Sequence, residues 1–217
     1  MAFNMTPLLI TALSETIRMV IVSLIAATVV GIPIGVLLVT TAKHQILECV
    51  GFNRVLAAVI NAVRSIPFII LMVAIIPFTR LVAGTSIGTN AAMVPLTLAA
   101  IPFIARQVET SLKEVPYGLI EAALSMGATP MQIIRRVYLP EAMPGIVAQL
   151  TTVVIALVGA SAMAGTIGGG GLGDLAIRYG YQRFRPDVML ATIIILIVVV
   201  NVIQAGGDFA SRKKNKK

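Results

Sequence analysis

Long apolar runs without a charged residue constrain the fold of this chain more than any other feature. They cover residues 19–41, 55–79, 81–105, 142–173 and 188–207, and Arg64 is the only charge inside them. A helix needs about 20 mostly apolar residues to cross the hydrocarbon core of a bilayer. Lipid offers no partner to an unpaired backbone group, so each spanning run is expected to be a helix.

The composition supports a membrane protein built from these runs. Hydrophobic residues make up 58% of the 217 residues and charged residues only 12%, which is about half the usual share in soluble domains. We predict an all-α integral membrane protein with five transmembrane helices, organised as one transmembrane domain over residues 1–217. Gly84-Thr85-Ser86 favours a turn at the start of the third run, and only the first part of the fourth run is apolar enough to span.

The distribution of lysine and arginine predicts the orientation, because cytoplasmic segments of membrane proteins are enriched in both. An N-out, C-in topology puts twelve of the 17 basic residues inside. These are Lys43, Arg54, Arg64, Arg106, Lys113, Arg135, Arg136, Arg212, Lys213, Lys214, Lys216 and Lys217. The outer side then holds Arg18, Arg80, Arg178, Arg183 and Arg185.

The net charge of +8 does not favour nucleic-acid binding. Much of it lies in the tail 212–217, directly after the last run, and no aromatic residues interleave with it to stack on bases. We interpret the tail as a topology anchor that meets anionic lipid headgroups.

Residues 107–141 form the only long segment too polar for lipid, with seven charged residues. Local signals predict two short helices joined by a tight turn. Pro116 suits a first helical turn, and Gly127 can adopt the left-handed conformation that ends a helix. Thr129-Pro130-Met131-Gln132 is typical of a capping box that starts the second helix, and Leu139-Pro140 is expected to stop it.

Both predicted helices carry an apolar face. Leu119, Ala122, Ala123 and Met126 recur at helical spacing on the first, and Met131, Ile134 and Val137 on the second. The small side chains of Ala122 and Ala123 allow another surface to approach closely. An amphipathic cytoplasmic loop that lies on the membrane would account for the same pattern.

Glu121-Ala122-Ala123, Gly127, Val137 and Leu139-Pro140 resemble the "EAA" signature of the membrane subunits of bacterial ABC importers, EAA-x3-G-x9-I-x-LP. The one departure is Val137 in place of isoleucine. The resemblance implies a type I importer permease fold in which residues 107–141 hold the coupling helices that dock on the ATP-binding subunit. The coupling residues implied are Glu121, Ala122, Ala123, Gly127, Ala128, Thr129, Pro130, Val137, Leu139 and Pro140.

Further segments resemble the permeases of methionine importers, among them residues 64–71, 76–80, 84–88, 102–106, 127–133 and 161–163. This resemblance implies a multi-pass permease of the bacterial inner membrane that imports methionine and is not itself an enzyme. The implied partners are a second copy of the chain, two ATP-binding subunits and a periplasmic or lipid-anchored methionine-binding protein. This chain would hold no cofactor, since ATP and Mg would bind to the partner subunit.

Four residues are candidates for the pathway or its gate: Arg64, Ser65, Pro67 and Met163. Pro67 lies in a predicted span, and broken helices line substrate paths in transporters. Arg64 and Arg106 lie near the ends of spans, where snorkelling to the interface and binding of a substrate carboxylate are both open. Met163 follows from the family resemblance, and packing is the alternative for it.

The segment Gly168-Gly169-Gly170-Gly171-Leu172-Gly173 matches G-x-G-x-x-G but follows a spanning run rather than a strand, so we do not interpret it as a dinucleotide site. It is either a flexible outer loop or a close-packed segment near an outer gate, and we favour the second.

Two rival functions remain open from the sequence. The same machine could carry another small amino acid or an osmolyte, or the chain could be a passive channel or a membrane enzyme. A membrane enzyme would need clustered acid, base or metal-binding residues. The nine carboxylates are instead scattered among loops and span ends.

Overall fold

The chain is all-helical over residues 5–214, which are the residues that the computed structural model describes. Of the predicted lipid anchor at residues 212–217, Asn215, Lys216 and Lys217 lie outside them. The helices are α1 Met5–Thr40, α2 Val50–Arg64, α3 Phe68–Ala74, α4 Ile76–Ala83, α5 Thr89–Lys113, α6 Tyr117–Ser125, α7 Pro130–Ile133, α8 Leu139–Gly165, α9 Gly171–Leu175 and α10 Pro186–Lys214. Two π-helical segments, Ile134–Tyr138 and Ala176–Tyr181, lead into α8 and out of α9.

Four helices in the described part of the chain are long and apolar enough to cross a membrane, namely α1, α5, α10 and the continuous helix Pro130–Gly165. The predicted count of five is reached when the bent pair α2 and α3 counts as one span. A single unbroken helix over 55–79 is wrong. Proline 67 cannot donate to a helical ladder and takes an extended conformation, with φ −55° and ψ 134°, so α2 ends before it.

The other spans differ from the prediction mainly at their ends. The first helix begins at Met5 rather than at residue 19 and includes Glu15 and Arg18. The predicted turn at Gly84-Thr85-Ser86 is confirmed, because α4 ends at Ala83 and Gly84 takes φ 73°. The third span, α5, therefore starts at Thr89.

The described chain forms two compact units. One contains residues up to 27, 66–100 and 154–204, and the other contains 28–65, 101–153 and the segment from 205 onward. In the second unit α1 packs closely on α5 through glycines. A Cβ added at Gly31 would lie 2.8 Å from the Ile104 side chain, and one at Gly35 would lie 2.7 Å from the Ala105 carbonyl oxygen. A small residue every fourth position is how spanning helices bring their backbones together.

In the first unit the glycine segment packs against α1 and α8. The Glu15 carboxylate accepts a hydrogen bond from the Gly171 backbone N–H at 2.7 Å, and the Thr16 hydroxyl accepts one from Leu172 at 2.9 Å. These contacts satisfy the first N–H groups of α9, which otherwise have no helical partner. The close packing predicted for the segment is therefore confirmed and the flexible-loop alternative is wrong, while its location near an outer gate stays a prediction. They also explain why Glu15 is tolerated inside a long apolar helix.

Candidate coupling surface and pathway residues

Helix α6 begins after the helical structure is interrupted at Val115–Pro116. Pro116 precedes the first helical residue, with φ −59° and ψ 127°, instead of lying within the first turn as expected from the sequence. The helix ends in a Schellman motif, in which Ala128 N–H donates to the Ala123 carbonyl at 3.1 Å and Gly127 N–H donates to Leu124 at 2.9 Å. Gly127 takes φ 77°, as predicted.

The capping box predicted at the start of the second helix is present. The Gln132 N–H donates to the Thr129 hydroxyl at 3.4 Å, and the Gln132 side chain accepts from the Thr129 N–H at 2.8 Å. Pro130 occupies the first helical position, where its missing N–H costs nothing. The tight turn between α6 and α7 is therefore fixed at both of its ends by the backbone contacts of Gly127, Ala128 and Thr129.

The prediction that Leu139-Pro140 ends the second helix is wrong. From Pro130 the chain runs as one helix to Gly165, through the π-helical turn Ile134–Tyr138. In this turn the Leu139 N–H reaches back five residues to the Ile134 carbonyl. The hydrogen-bonding pattern therefore shifts by one residue just before Pro140. Because of this shift, the missing N–H of Pro140 does not break the helix. Tyr138 is buried and its hydroxyl donates to the Gln45 side chain at 2.6 Å, which holds the turn in place.

The coupling residues implied by the resemblance divide into exposed and covered groups. Glu121, Ala122, Gly127, Thr129 and Pro140 are exposed, and Pro130 is exposed with them. Ala128, Val137 and Leu139 are half-buried. Ala123 is only 5% exposed and packs inward together with Ile120. The expected shared face of Leu119, Ala122, Ala123 and Met126 is therefore wrong for Ala123, while the other three residues remain exposed.

The outward face of α6 contains residues that the sequence interpretation missed. Gly118 and Ser125 lie four residues before and three residues after Ala122, so all three share the side opposite Ile120 and Ala123. Their i, i+4 and i, i+3 spacing from Ala122 could have revealed them. Leu119 is 44% exposed and Met126 81% exposed at the edge of this face, and Met131 of α7 is also exposed. We call Gly118, Leu119, Ala122, Ser125 and Met126 the α6 face.

The candidate pathway residues lie in different parts of the chain. Arg64 and Ser65 belong to the second unit, where the Arg64 guanidinium lies 5.1 Å from the centre of the Phe103 ring and Ser65 donates to the Asn61 carbonyl at 2.9 Å. Pro67, before α3, and Met163, half exposed in α8, belong to the first unit. Their roles in a pathway or gate stay predictions.

Arg106 does not hold its guanidinium out as a free site for a substrate carboxylate. It pairs with Glu109 at 2.5 Å and donates to the Asn61 side chain of α2 at 2.8 Å. Glu109, which is 7% exposed, also accepts from Lys113 at 2.7 Å. Its Nε atom is buried, while the side chain as a whole is 21% exposed, and snorkelling to the interface stays a prediction. We call Asn61, Arg106, Glu109 and Lys113 the charge cluster, and it joins α2 to the end of α5.

Comparison with known proteins agrees with this architecture over nearly the whole chain. The family described as "Binding-protein-dependent transport system inner membrane component" matches residues 51–214. The "Probable D-methionine transport system permease protein MetI" of Vibrio cholerae serotype O1 is 55% identical over 206 residues, which cover 95% of this chain and 92% of the relative. The corresponding "D-methionine transport system permease protein MetI" of Salmonella typhimurium is 56% identical over 158 residues, 73% of each chain.

Solved structures agree with the fold. A chain from a structure described as inward-facing conformations of the MetNI methionine ABC transporter superposes with a TM-score of 0.97 at 49% identity, over 100% of both chains. A chain of an amino acid ABC transporter has the same fold with a TM-score of 0.80 at 19% identity, over 98% of this chain and 100% of that one. The expected family and membrane location are thus confirmed, and the chain belongs to the family of binding-protein-dependent transport system inner membrane components.

Proposed function

We propose that this chain is the permease subunit of an ATP-driven ABC importer and forms the pathway by which methionine crosses the bacterial inner membrane. The observation that carries the proposal is the exposed α6 face, because it belongs to a helix that bears the EAA signature and is anchored on its other side. The 0.97 superposition on a chain of a methionine ABC transporter supports the same conclusion. As a permease the chain contributes a path and a docking surface, and ATP is hydrolysed by a separate subunit.

The α6 face has the properties of a docking surface. Gly118, Ala122 and Ser125 lie near its middle and have small side chains, so a partner can approach the backbone of α6 closely. Leu119 and Met126 add apolar area at the edge, and the unbranched Met126 side chain adapts to different partner shapes. Arg135 and Arg136 are exposed on the following turn and can meet acidic groups. Residues 107–141 are therefore proposed to be the cytoplasmic coupling segment.

The proposed assembly contains two copies of this chain, two ATP-binding subunits and a periplasmic or lipid-anchored methionine-binding protein. Two copies related by a two-fold axis would place the pathway between them, because so few spans leave little room for a path within one copy. ATP and Mg would bind in the partner subunits. When these close on ATP, they would pull the α6 face with them and rock the spans between inward-open and outward-open states.

The names of the relatives support methionine as the proposed substrate. The relatives from Vibrio cholerae and Salmonella typhimurium are named for D-methionine transport, and the solved transporter for methionine. We propose that L-methionine is carried and that D-methionine is carried by the same path.

The change Ala122→Trp tests the coupling assignment. The new side chain would point away from the buried side of α6, so the fold should be retained while the partner can no longer approach. We expect co-purification of the ATP-binding subunit to fall at least tenfold, which corresponds to about 1.4 kcal/mol or more. Methionine uptake into cells or proteoliposomes should fall with it, and the thermal midpoint of the permease should not change.

Gly51→Trp is the matched control. Gly51 is exposed in the same unit but lies outside residues 107–141, and a Cβ there would meet no atom within 4 Å. It should leave both co-purification and uptake unchanged. If α6 only rests on the lipid surface, Ala122→Trp would strengthen that contact and leave uptake intact. Normal co-purification and uptake for Ala122→Trp would overturn the coupling assignment.

Competition for uptake tests the substrate. Proteoliposomes with the assembled transporter should take up labelled L-methionine only when ATP is present, and excess unlabelled L- or D-methionine should reduce this uptake at least tenfold. Other small amino acids and osmolytes at the same concentration should compete weakly. Uptake of a different amino acid, unaffected by methionine, would reject the substrate but keep the importer. Flux without ATP would instead indicate a passive channel.

A further inference from the structure

The loop between α1 and α2, residues 41–49, is tied by hydrogen bonds to both helices in the second unit. The Leu47 N–H donates to the Thr40 carbonyl at 2.9 Å, and the Cys49 N–H donates to the Thr41 carbonyl at 3.0 Å. From α2, the Asn53 side chain donates to the Leu38 carbonyl at 2.7 Å. These bonds satisfy carbonyl groups at the end of α1 and fold the loop back over that end.

One residue of this loop adopts a backbone conformation that is uncommon for its type. His44 takes φ 63°, in the left-handed region that few residues other than glycine occupy. Its N–H donates to the Glu48 carboxylate at 2.9 Å. A residue stays in this region only where the surrounding contacts fix it. The loop 41–49 therefore has a defined shape, and it presents the half-buried side chain of Gln45 from a fixed position.

Gln45 accepts a hydrogen bond from the buried hydroxyl of Tyr138 at 2.6 Å. Tyr138 is 2% exposed and is the last residue of the π-helical turn Ile134–Tyr138. This turn packs against both α6 and α7. A buried hydroxyl that loses its acceptor destabilises the fold, so Tyr138 is expected to keep this partner. The bond thus joins the loop 41–49 to the proposed coupling segment, 93 residues away in the chain.

We propose that Tyr138 and Gln45 are positioning residues, which carry the movement of the coupling segment to the loop 41–49 and through it to the ends of α1 and α2. This inference rests on the function proposed above for residues 107–141. Along the chain, the coupling segment is connected only to α5 and α8. The hydrogen bond adds a route to α1 and α2, and a loop of fixed shape passes a displacement on to the helices that it joins.

The change Tyr138→Phe tests the proposal, because it keeps the ring and removes only the hydroxyl. Methionine uptake and ATP hydrolysis are measured in the same proteoliposomes with the assembled transporter. The ATP-binding subunit should still co-purify, while the ratio of methionine taken up to ATP hydrolysed should fall about fivefold or more. This ratio does not depend on how much transporter folds or assembles, so a purely structural role would leave it unchanged. An unchanged ratio would overturn the proposal.

Two changes of Gln45 test the same bond from the other side. Gln45→Glu keeps an oxygen that accepts from Tyr138 and should keep the ratio. Gln45→Met has a similar length but only a weak acceptor, so it should lower the ratio as Tyr138→Phe does. The double variant of Gln45→Met and Tyr138→Phe should lower it no further, since both changes remove one and the same bond. Equal ratios for Gln45→Glu and Gln45→Met would also overturn the proposal.

Lys43→Met is the matched control in the same loop. Lys43 is exposed, and no hydrogen bond or ion pair of its side chain is found among the described residues. This variant should keep the ratio of the unchanged protein. Failure of the proposed function would give a different result, because even the unchanged protein would then show no ATP-dependent uptake of methionine and Ala122→Trp would not reduce co-purification.

Discussion

Gly165→Ala is expected to lower the thermal midpoint of the purified permease by about 6–12 °C, which corresponds to about 3 kcal/mol. A Cβ at this last residue of α8 would overlap the backbone nitrogen of Asp174 and lie 2.7 Å from the Gly173 carbonyl carbon. Backbone atoms cannot move aside as the end of a flexible side chain can. Size-exclusion chromatography after heating measures the effect, and methionine uptake should fall in parallel.

Gly159→Ala is the matched control, six residues earlier in the same helix. A Cβ at Gly159 would meet no atom within 4 Å, and replacing glycine by alanine in a helix stabilises it by about 0.5–1 kcal/mol. The midpoint of this variant should stay the same or rise slightly. Equal midpoints for the two alanine variants would contradict the close packing of α8 on α9.

Gly173→Ala tests the same contact from the other side, since its Cβ would overlap the Ala162 carbonyl oxygen. Each substitution alone would push α8 and α9 apart. Once one of the two substitutions is present, the other should therefore cost little more. The double variant should lose less free energy of unfolding than the two single variants lose in sum.

Glu109→Ala is the second change with a large expected effect, about 3 kcal/mol of lost stability. Glu109 is 7% exposed and accepts from both Arg106 and Lys113. Without the carboxylate of Glu109, the partly buried guanidinium of Arg106 would keep its charge but lose its counter-ion, and the like charge of Lys113 would remain about two helical turns further along. The thermal midpoint of the purified permease measures the loss.

Glu114→Ala controls for the loss of a carboxylate in the same polar segment. Glu114 is exposed, and no ion pair involving it is found among the described residues. Its removal should change the stability by less than about 0.5 kcal/mol. Lys113→Ala should also be mild, because the Lys113 side chain is 60% exposed and pairs involving such exposed lysines contribute about 0–1 kcal/mol. If Glu109→Ala proved as mild as these two, the charge cluster would not hold α2 on α5.

Local chemistry made the turn between α6 and α7 predictable from the sequence. Gly127, Thr129, Pro130 and Gln132 each act on backbone groups within a few residues, so their roles hold in almost any tertiary context. The apolar runs also predicted α1, α5, α8 and α10, because a lipid environment demands helices of that length. The α6 face was only partly predictable, since spacing alone does not show which side of a short helix is buried.

Predictions failed where residues distant in sequence decide the outcome. Leu139-Pro140 looked like a helix end, but a π-helical turn held by Tyr138 and Gln45 lets the helix continue. Arg106 looked free to bind a substrate carboxylate, because its partner Asn61 lies 45 residues earlier in the chain. The extension of α1 to Met5 was missed because Glu15 is satisfied by a glycine segment 156 residues away.

The unbroken helix from Pro130 to Gly165 makes the coupling segment mechanically asymmetric. Its 36 residues would extend about 54 Å at 1.5 Å per residue. On one side of the turn, α6 is joined to α5 through the break in the helical ladder at Val115–Pro116. On the other side, α7 continues without a break through the π-helical turn into α8. A displacement of the α6 face is therefore expected to reach the start of α8 through the fixed turn and α7, rather than through the break at Val115–Pro116.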